Sequence, residues 1–277
     1  MKQDRVASYV EENLRKCQLK QLAILKEIDR ICRKHGLTYW LDGGTLLGAV
    51  RHGGFIPWDD DIDIAMPLGD MKRFVEVAPS ELSSDLVLQT LENYSECKEP
   101  ITKVRDLNSF YVEFADDFSA NYPKGLFVDI FPFIDYPSVS RAWVKKVARG
   151  ICVSSAILHT KHYYSWRSLA NFFYFGLKNI VLRGLWKLSE WCCKKGTYTS
   201  NILVNNGYGI MHRKDVIYPV STILFEGVEF SAPANPDVYL KDLYKDYMQI
   251  PPVEKRKIHA IFIQPELQAP GQTANEL

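Results

Sequence analysis

Three aspartates spaced two residues apart, Asp59, Asp61 and Asp63, carry the clearest chemical signal in this 277-residue chain. They lie in the run Trp58-Asp59-Asp60-Asp61-Ile62-Asp63-Ile64. Side chains alternate faces along a β-strand, so the three carboxylates fall on one side and Ile62 and Ile64 on the other. Carboxylates held that close repel one another unless a cation sits among them. Hard oxygen ligands of this kind suit Mg²⁺ or Mn²⁺. Upstream, Gly43-Gly44-Thr45 leads into an apolar stretch with helical spacing. A turn of that type offers free backbone N–H groups and a positive helix end to a phosphate. Together the two features describe a site for a metal-bound phosphoryl or nucleotidyl group.

The elements that must position these groups are short. Thr38 to Leu41 reads as a strand, which Gly43 and Gly44 break. Thr45 is the expected cap of a helix over Leu46 to Val50. Gly53, Gly54 and Pro57 then enforce a turn, and a second strand runs from Asp61 to Ala65. Other readings of the acidic run exist. A solvated acidic turn would leave the interleaved isoleucines and the upstream glycines without a role. An EF-hand calcium loop also has Asp at its first, third and fifth positions, but needs Gly where this chain has Ile64. The Asp-x-Asp of a metal-dependent glycosyltransferase typically follows a longer nucleotide-binding unit than the one helix and one strand found here.

The string Leu-Asp-Gly-Gly-Thr-Leu-Leu-Gly-Ala-Val-Arg-His-Gly-Gly-Phe-Ile-Pro-Trp-Asp-Asp-Asp-Ile-Asp-Ile, residues 41 to 64, closely resembles the LicD family. Gly43-Gly44-Thr45 followed by Asp61-Ile62-Asp63 resembles the wider nucleotidyltransferase signature. The LicD family includes bacterial phosphocholine transferases and is related to fukutin and fukutin-related protein. Weaker matches reach about His259. One departure is Lys245, where the family usually has Gly.

The resemblance implies an α/β fold, a nucleotidyltransferase-type mixed sheet flanked by helices, with a helical insertion. It implies transfer of a substituted phosphate, such as phosphocholine, from a CDP-linked donor to a hydroxyl of a cell-surface glycan or its lipid-linked precursor, with CMP leaving. Lipopolysaccharide, teichoic acid and capsule are acceptors of that kind. Asp61 and Asp63 would hold Mg²⁺ or Mn²⁺, and Gly43, Gly44 and Thr45 would cradle the donor phosphates. Asp129 would complete the metal site or act as base. Arg51 could stabilise charge on the phosphate. Two rival activities remain: a nucleotidyltransferase that uses NTP and releases pyrophosphate, and a glycosyltransferase.

The rest of the chain fits around this core. Residues 6 to 35 show a helical apolar stripe, with Gln21 its one polar gap, stopped by Gly36. A helix over Asp70 to Val77 ends at Pro79. Strands are expected at Leu86–Leu91, Ile101–Arg105 and Phe110–Phe114. On the second of these, Lys103 and Arg105 share a face. They could steady a phosphate or be solvent-facing charges of an edge strand. The apolar run around Asp129 makes that charge costly unless it is paired or metal-bound. Asp135 reads as a turn residue. From residue 141 the chain turns basic, aromatic and helical, with Lys161 and His162 part of that character. Lys178, Arg183 and Lys187 interrupt the apolar stretch Leu169–Leu188, which argues against a spanning helix. Two readings stay open: a packed helical subdomain, or a peripheral membrane contact through residues 141–191. Tyrosines near the C-terminal end could stack on a base, cage a quaternary ammonium group or pack the core.

The expected organisation is a helix over 1–36, a catalytic core over 37–140, the helical insertion over 141–197, a C-terminal part over 198–263 and a disordered tail over 264–277. A formal net charge of +1 gives no basic excess for nucleic acid. Cys17, Cys32, Cys97, Cys152, Cys192 and Cys193 show no Cys-x-x-Cys spacing and read as reduced thiols of a cytoplasmic protein. The polar N-terminus does not read as a signal peptide.

Overall fold

Asp63 and Asp129 stand directly opposite each other on two parallel strands, and the main sheet extends outward from that pair. The computed structural model describes residues 2–95, 101–114, 116, 118, 120–159, 165–194, 196–256 and 258–267. Helix α1 (Lys2–His35) leads through β1 (Trp40–Leu41) and α2 (Gly43–His52) to β2 (Asp63–Pro67) and α3 (Leu68–Glu81). Strands β3 (Leu86–Gln89), β4 (Thr102–Asp106), β5 (Phe110–Glu113) and β6 (Phe127–Tyr136) follow. Then come α4 (Arg141–His159), α5 (Trp166–Cys192), β7 (Tyr198–Asn201), β8 (His212–Arg213) and α6 (Lys214–Ile217). The chain closes with β9 (Ser221–Phe225), β10 (Val228–Ala232), α7 (Pro236–Tyr244) and β11 (Ala260–Gln264).

The main sheet has the order β1-β2-β6-β4-β3, and β7 continues from the C-terminal half of β6 to reach β8. β2 and β6 run parallel, and their other neighbours are antiparallel. The fold is therefore α/β with a mixed sheet, as expected. β9 pairs with β10, and β5 with β11, in two separate ribbons. Ile62, Ile64, Val128 and Ile130 are fully buried and join Ile24, Leu25 and Ile28 of α1 and Phe74 of α3 in one core. Apolar burial on that scale makes the β2–β6 pair a rigid platform.

Local chemistry moved several expected boundaries. α2 starts two residues before Thr45, because Asp42 is the cap: its carboxylate accepts from Gly43 N at 2.7 Å. Gly53, in the left-handed region at φ 71°, closes that helix. β2 begins at Asp63 rather than Asp61. Pro79 lies inside α3 rather than after it. β4 is an interior strand between β6 and β3, so the edge-strand reading of Lys103 and Arg105 fails; both are buried. Asp135 is on β6, not in a turn, and pairs with Lys214 at 2.8 Å. Gln264 ends β11, and Leu267 N donates to Asn108 O at 2.8 Å, so the ordered chain runs past the expected start of the tail. Residues 268–277, Cys97, Lys161 and His162 lie outside the described residues. Cys17, Cys32, Cys152, Cys192 and Cys193 are free thiols.

The polar gap in the α1 stripe has a structural use. Gln21 is fully buried, and its Nε2 donates to Asp60 O at 2.8 Å and Phe127 O at 3.3 Å. One turn earlier, Gln18 Nε2 donates to Asp59 O at 2.8 Å. Two glutamines on one helix face thus fix the backbone of the acidic run before it enters β2. Gln21→Leu would strip two buried carbonyls of their donor and should cost ~1–3 kcal/mol in stability. Denaturant unfolding measures this cost, and an unchanged midpoint would contradict it.

Candidate active site

Asp42, Asp59, Asp61, Asp63 and Asp129 converge where α2 begins and where β2 and β6 start. The backbone arranges this. Asp42 N donates to Asp63 O at 3.0 Å, and Asp63 N donates to Thr45 Oγ1 at 2.8 Å. Thr45 therefore ties the helix to the strand with its side chain, where the sequence had suggested a cap. Asp129 N donates to Ile62 O at 2.8 Å. A hairpin turn supports the loop in between: Glu226 accepts from Phe55 N at 3.0 Å and pairs with Arg15.

The two glycines owe their place to the carboxylates. A Cβ on Gly43 would lie 2.8 Å from Asp63 Oδ2, and one on Gly44 would lie 2.7 Å from Asp59 Oδ2. Gly43 also has φ 50°, which favours glycine. Any larger residue at either position would collide with a carboxylate oxygen.

Each carboxylate has a different environment. Burial, then the charges of Asp61 and Asp60, push the Asp59 carboxyl up to about 8. Burial raises Asp63 well above the usual carboxylate range, and Asp61, Asp129, Asp42 and Asp59 add to the shift. Burial also raises Asp42, which Tyr239 Oη counters by donating at 2.7 Å. Tyr239 is held in turn by Trp40 Nε1 at 3.2 Å and by His212, whose ring stacks 3.9 Å away. Asp61 meets His259 Nδ1 at 3.2 Å, and this contact raises the imidazole to about 9.

Asp129 is not a lone charge. Lys103 Nζ lies 2.9 Å from its Oδ1 and 3.2 Å from its Oδ2, over the ring of Phe127. Burial raises Asp129 and Lys103 opposes that shift. The ammonium thus lies against both carboxylate oxygens. Arg105 on the same face does not join it. Its Nε donates to Gln89 Oε1 at 2.5 Å and its Nη1 to Gly125 O at 2.8 Å. Arg51 lies in the last turn of α2 rather than in the following turn; Nη1 donates to Tyr247 O at 2.9 Å. Burial lowers its guanidinium and the charge of Asp59 opposes that.

Several site residues carried weaker sequence signals. Asp60 is buried in the core, where Tyr111 Oη, Ala260 N and His259 N donate to it at 3.0, 2.6 and 3.1 Å. It fastens β11 to the acidic run. The oxygens of Asp60 and Asp61 and a nitrogen of His259 form the one group of three metal-type ligands within 4.8 Å of one another among the described residues. Tyr244 ends α7, and burial followed by the charges of Asp63, Asp42, Asp59 and Asp61 raises its phenol. Lys245, beside it, has φ 58°, the left-handed region in which Gly would be unstrained.

A helix opened by two glycines, packed on parallel strands that carry in-register aspartates, defines a nucleotidyltransferase-type site. Residues 36–186 match the family model described as LicD/FKTN/FKRP, nucleotidyltransferase domain. The chain belongs to this family. It is 31% identical over 274 residues to the lipopolysaccharide cholinephosphotransferase LicD of Haemophilus influenzae, covering 90% of this chain and 96% of that protein. It is 29% identical over 115 residues to an uncharacterized protein of Rickettsia typhi, covering 41% of this chain and 37% of that one. A segment of 49 residues is 47% identical to the human ribitol 5-phosphate transferase FKRP, 18% of this chain and 10% of that protein.

Two substitutions separate architecture from chemistry here. Gly44→Ala should displace Asp59 while leaving the melting temperature near wild type, because a carboxylate end can yield. Activity should fall at least ~tenfold, as small misplacements at a reacting centre do. Asp60→Asn should instead lower stability by ~1–3 kcal/mol, since an amide N–H₂ would face a donor. Thermal melts and rate assays on both variants decide this; the reverse pattern would reject it.

Proposed function

We propose that the protein transfers a substituted phosphate, phosphocholine or a close relative, from a CDP-linked donor to a hydroxyl of a cell-surface glycan or its lipid-linked precursor. Likeness along nearly the whole chain to a lipopolysaccharide cholinephosphotransferase carries this reading. The acceptor oxygen forms the new bond to the phosphorus that bears the substituent. The bond from that phosphorus to CMP breaks, CMP leaves with the electron pair, and the hydroxyl proton passes to a carboxylate. Asp129 is the carboxylate we assign to the acceptor side.

We assign a divalent cation to this cluster, where Asp61 already belongs to the group of three ligand atoms within 4.8 Å of one another. Burial and then the neighbouring carboxylates raise Asp59 and Asp63, which a cation among them would relieve. Asp61 and Asp63 would hold Mg²⁺ or Mn²⁺, which would neutralise charge on the donor diphosphate, while Asp129 is kept for the acceptor side. Gly43, Gly44 and Thr45 open α2 at the same place, and we assign the donor phosphates to that helix start. Lys103 serves as fixed counter-charge to Asp129. Arg51, near Asp59, is assigned to phosphate charge; Arg105, whose Nε and Nη1 bind Gln89 and Gly125, supports the sheet around it. Free thiols support a cytoplasmic location.

A screen of CDP-choline, CDP-ethanolamine, CDP-ribitol and CDP-glycerol for CMP release with Mg²⁺ present tests the reading. Release from CDP-choline or CDP-ethanolamine is expected. Pyrophosphate release from CTP would make the protein a nucleotidyltransferase, and turnover of a nucleotide sugar a glycosyltransferase. Asp61→Asn should keep the fold and lose transfer, and full activity in excess EDTA would refute metal dependence. Asp129→Asn should cut turnover by roughly a hundredfold or more, the scale of a general base, with donor affinity by calorimetry little changed. Near wild-type turnover in a normally folded variant would remove Asp129 from the reaction.

A further inference from the structure

The helical pair α4–α5 carries a surface with no role in the site described above. One face of α5 packs on α4. Asn179 Nδ2 donates to Ser154 Oγ at 2.7 Å and Ser155 Oγ at 3.0 Å, Leu182 fills the space beside Gly150, and Trp186 packs edge-on to Tyr136. At 100° per residue, the opposite face presents Trp166, Phe173, Leu177, Ile180, Leu188 and Trp191. These side chains are between 52% and 87% exposed. Isolated exposed apolar residues are ordinary, but a stripe running the length of a 27-residue helix marks a contact surface.

Charge says what covers it. The charged residues of α5 before Glu190 are Arg167, Lys178, Arg183 and Lys187, all basic. On the helical wheel Arg167 and Lys178 border the stripe on one side, and Arg183 and Lys187 on the other. The one acid, Glu190, accepts from Trp186 Nε1 at 3.0 Å. α4 adds Arg141, Lys145, Lys146 and Arg149 and no acid. Lys145, Lys146, Arg149 and Lys178 line a common groove between the helices. The two helices thus hold eight basic residues and one acid, while the whole chain has 34 basic and 33 acidic residues. The chain is close to neutral overall, and its positive charge gathers here.

We propose that the outer face of α5 lies in the plane of an anionic lipid bilayer, with its apolar stripe among the acyl chains and its flanking basic residues at the headgroups. Trp166 and Trp191 sit at the two ends, where indoles favour the membrane–water boundary. No described helix is long and apolar enough to cross a membrane, and the basic residues along α5 fit a helix lying along the surface instead. A second copy of this chain is the weaker occupant. Pairing α5 with itself would bring basic borders together with no acid to meet them. Anionic lipid supplies the complementary charge. The inference does not depend on which group the enzyme transfers.

Flotation of the full chain with vesicles decides the matter. Phosphatidylcholine vesicles with and without phosphatidylglycerol are compared at low and high salt. Wild type should float with the phosphatidylglycerol vesicles, less so in high salt, and much less with phosphatidylcholine alone. Leu177→Asp with Ile180→Asp should weaken binding by roughly tenfold or more, since both side chains lose an apolar environment. Arg167→Glu with Lys187→Glu should weaken it specifically at low salt. Melting curves should stay near wild type, because all four side chains are exposed. Equal recovery in the unfloated fraction with and without phosphatidylglycerol at low salt would overturn the proposal. So would a solution dimer dissociated by Leu177→Asp with Ile180→Asp, which would assign the face to a second copy.

Discussion

Repulsion among carboxylates is the constraint on which this structure depends. Asp42, Asp59, Asp63 and Asp129 are brought, beside Asp61, to the start of one parallel strand pair, where burial makes each of those four charges expensive. Little in the immediate surroundings offsets this. Lys103 answers Asp129, His259 answers Asp61, and Tyr239 with Gly43 N answers Asp42. Asp42 and Asp129 stay raised even so, and Asp59 and Asp63 are raised most clearly. A protein optimised only for stability would not keep them so, and strain of this kind is a mark of functional sites.

The remaining architecture holds the repelling groups in place. The apolar faces of β2 and β6 are locked between α1 and α3, so the strands cannot splay. Gln18 and Gln21 grip the backbone just ahead of β2. Asp60 is buried and takes three donors, two of them main-chain N–H groups from the start of β11 and its preceding residue. The acidic run is therefore fixed through its backbone and through the Asp60 side chain. The glycines complete the arrangement from the α2 side, since only a hydrogen side chain leaves room for the oxygens of Asp59 and Asp63.

Much of this was legible from residue types. The Asp-x-Asp-x-Asp spacing marked the site, but the expected strand alternation does not hold, because β2 starts only at Asp63 and Asp59 and Asp61 lie in the segment before it. The parallel register of Asp63 with Asp129 is a 66-residue contact; the sequence offered only a costly charge in an apolar run, not its partner. Lys103 was visible as a candidate, but the pairing that buries it depends on β4 being interior, which propensity does not reveal. The Asp42 cap was hidden because Thr45 is an equally good capping residue and only the β1–β2 pairing decides between them. Gln21 was the missed opportunity. A polar residue inside an apolar helical stripe must find partners when buried, so its position already pointed to a backbone contact.

Lys103 also bears on how the site can work. A buried ion pair between Lys103 and Asp129 contributes little net stability, because desolvating both charges offsets their attraction. Its value lies elsewhere. With the ammonium fixed beside it, Asp129 is held closer to its ionised form than burial alone would allow. The ammonium lies against both oxygens, so the carboxylate's orientation is fixed as well as its charge. The counter-charge is delivered from β4, behind the carboxylate in sheet order, while Asp63 lies on β2 at the other side. An aspartate placed between a fixed cation and a cluster of like charges feels opposing pulls on its proton while it stays in place on its strand.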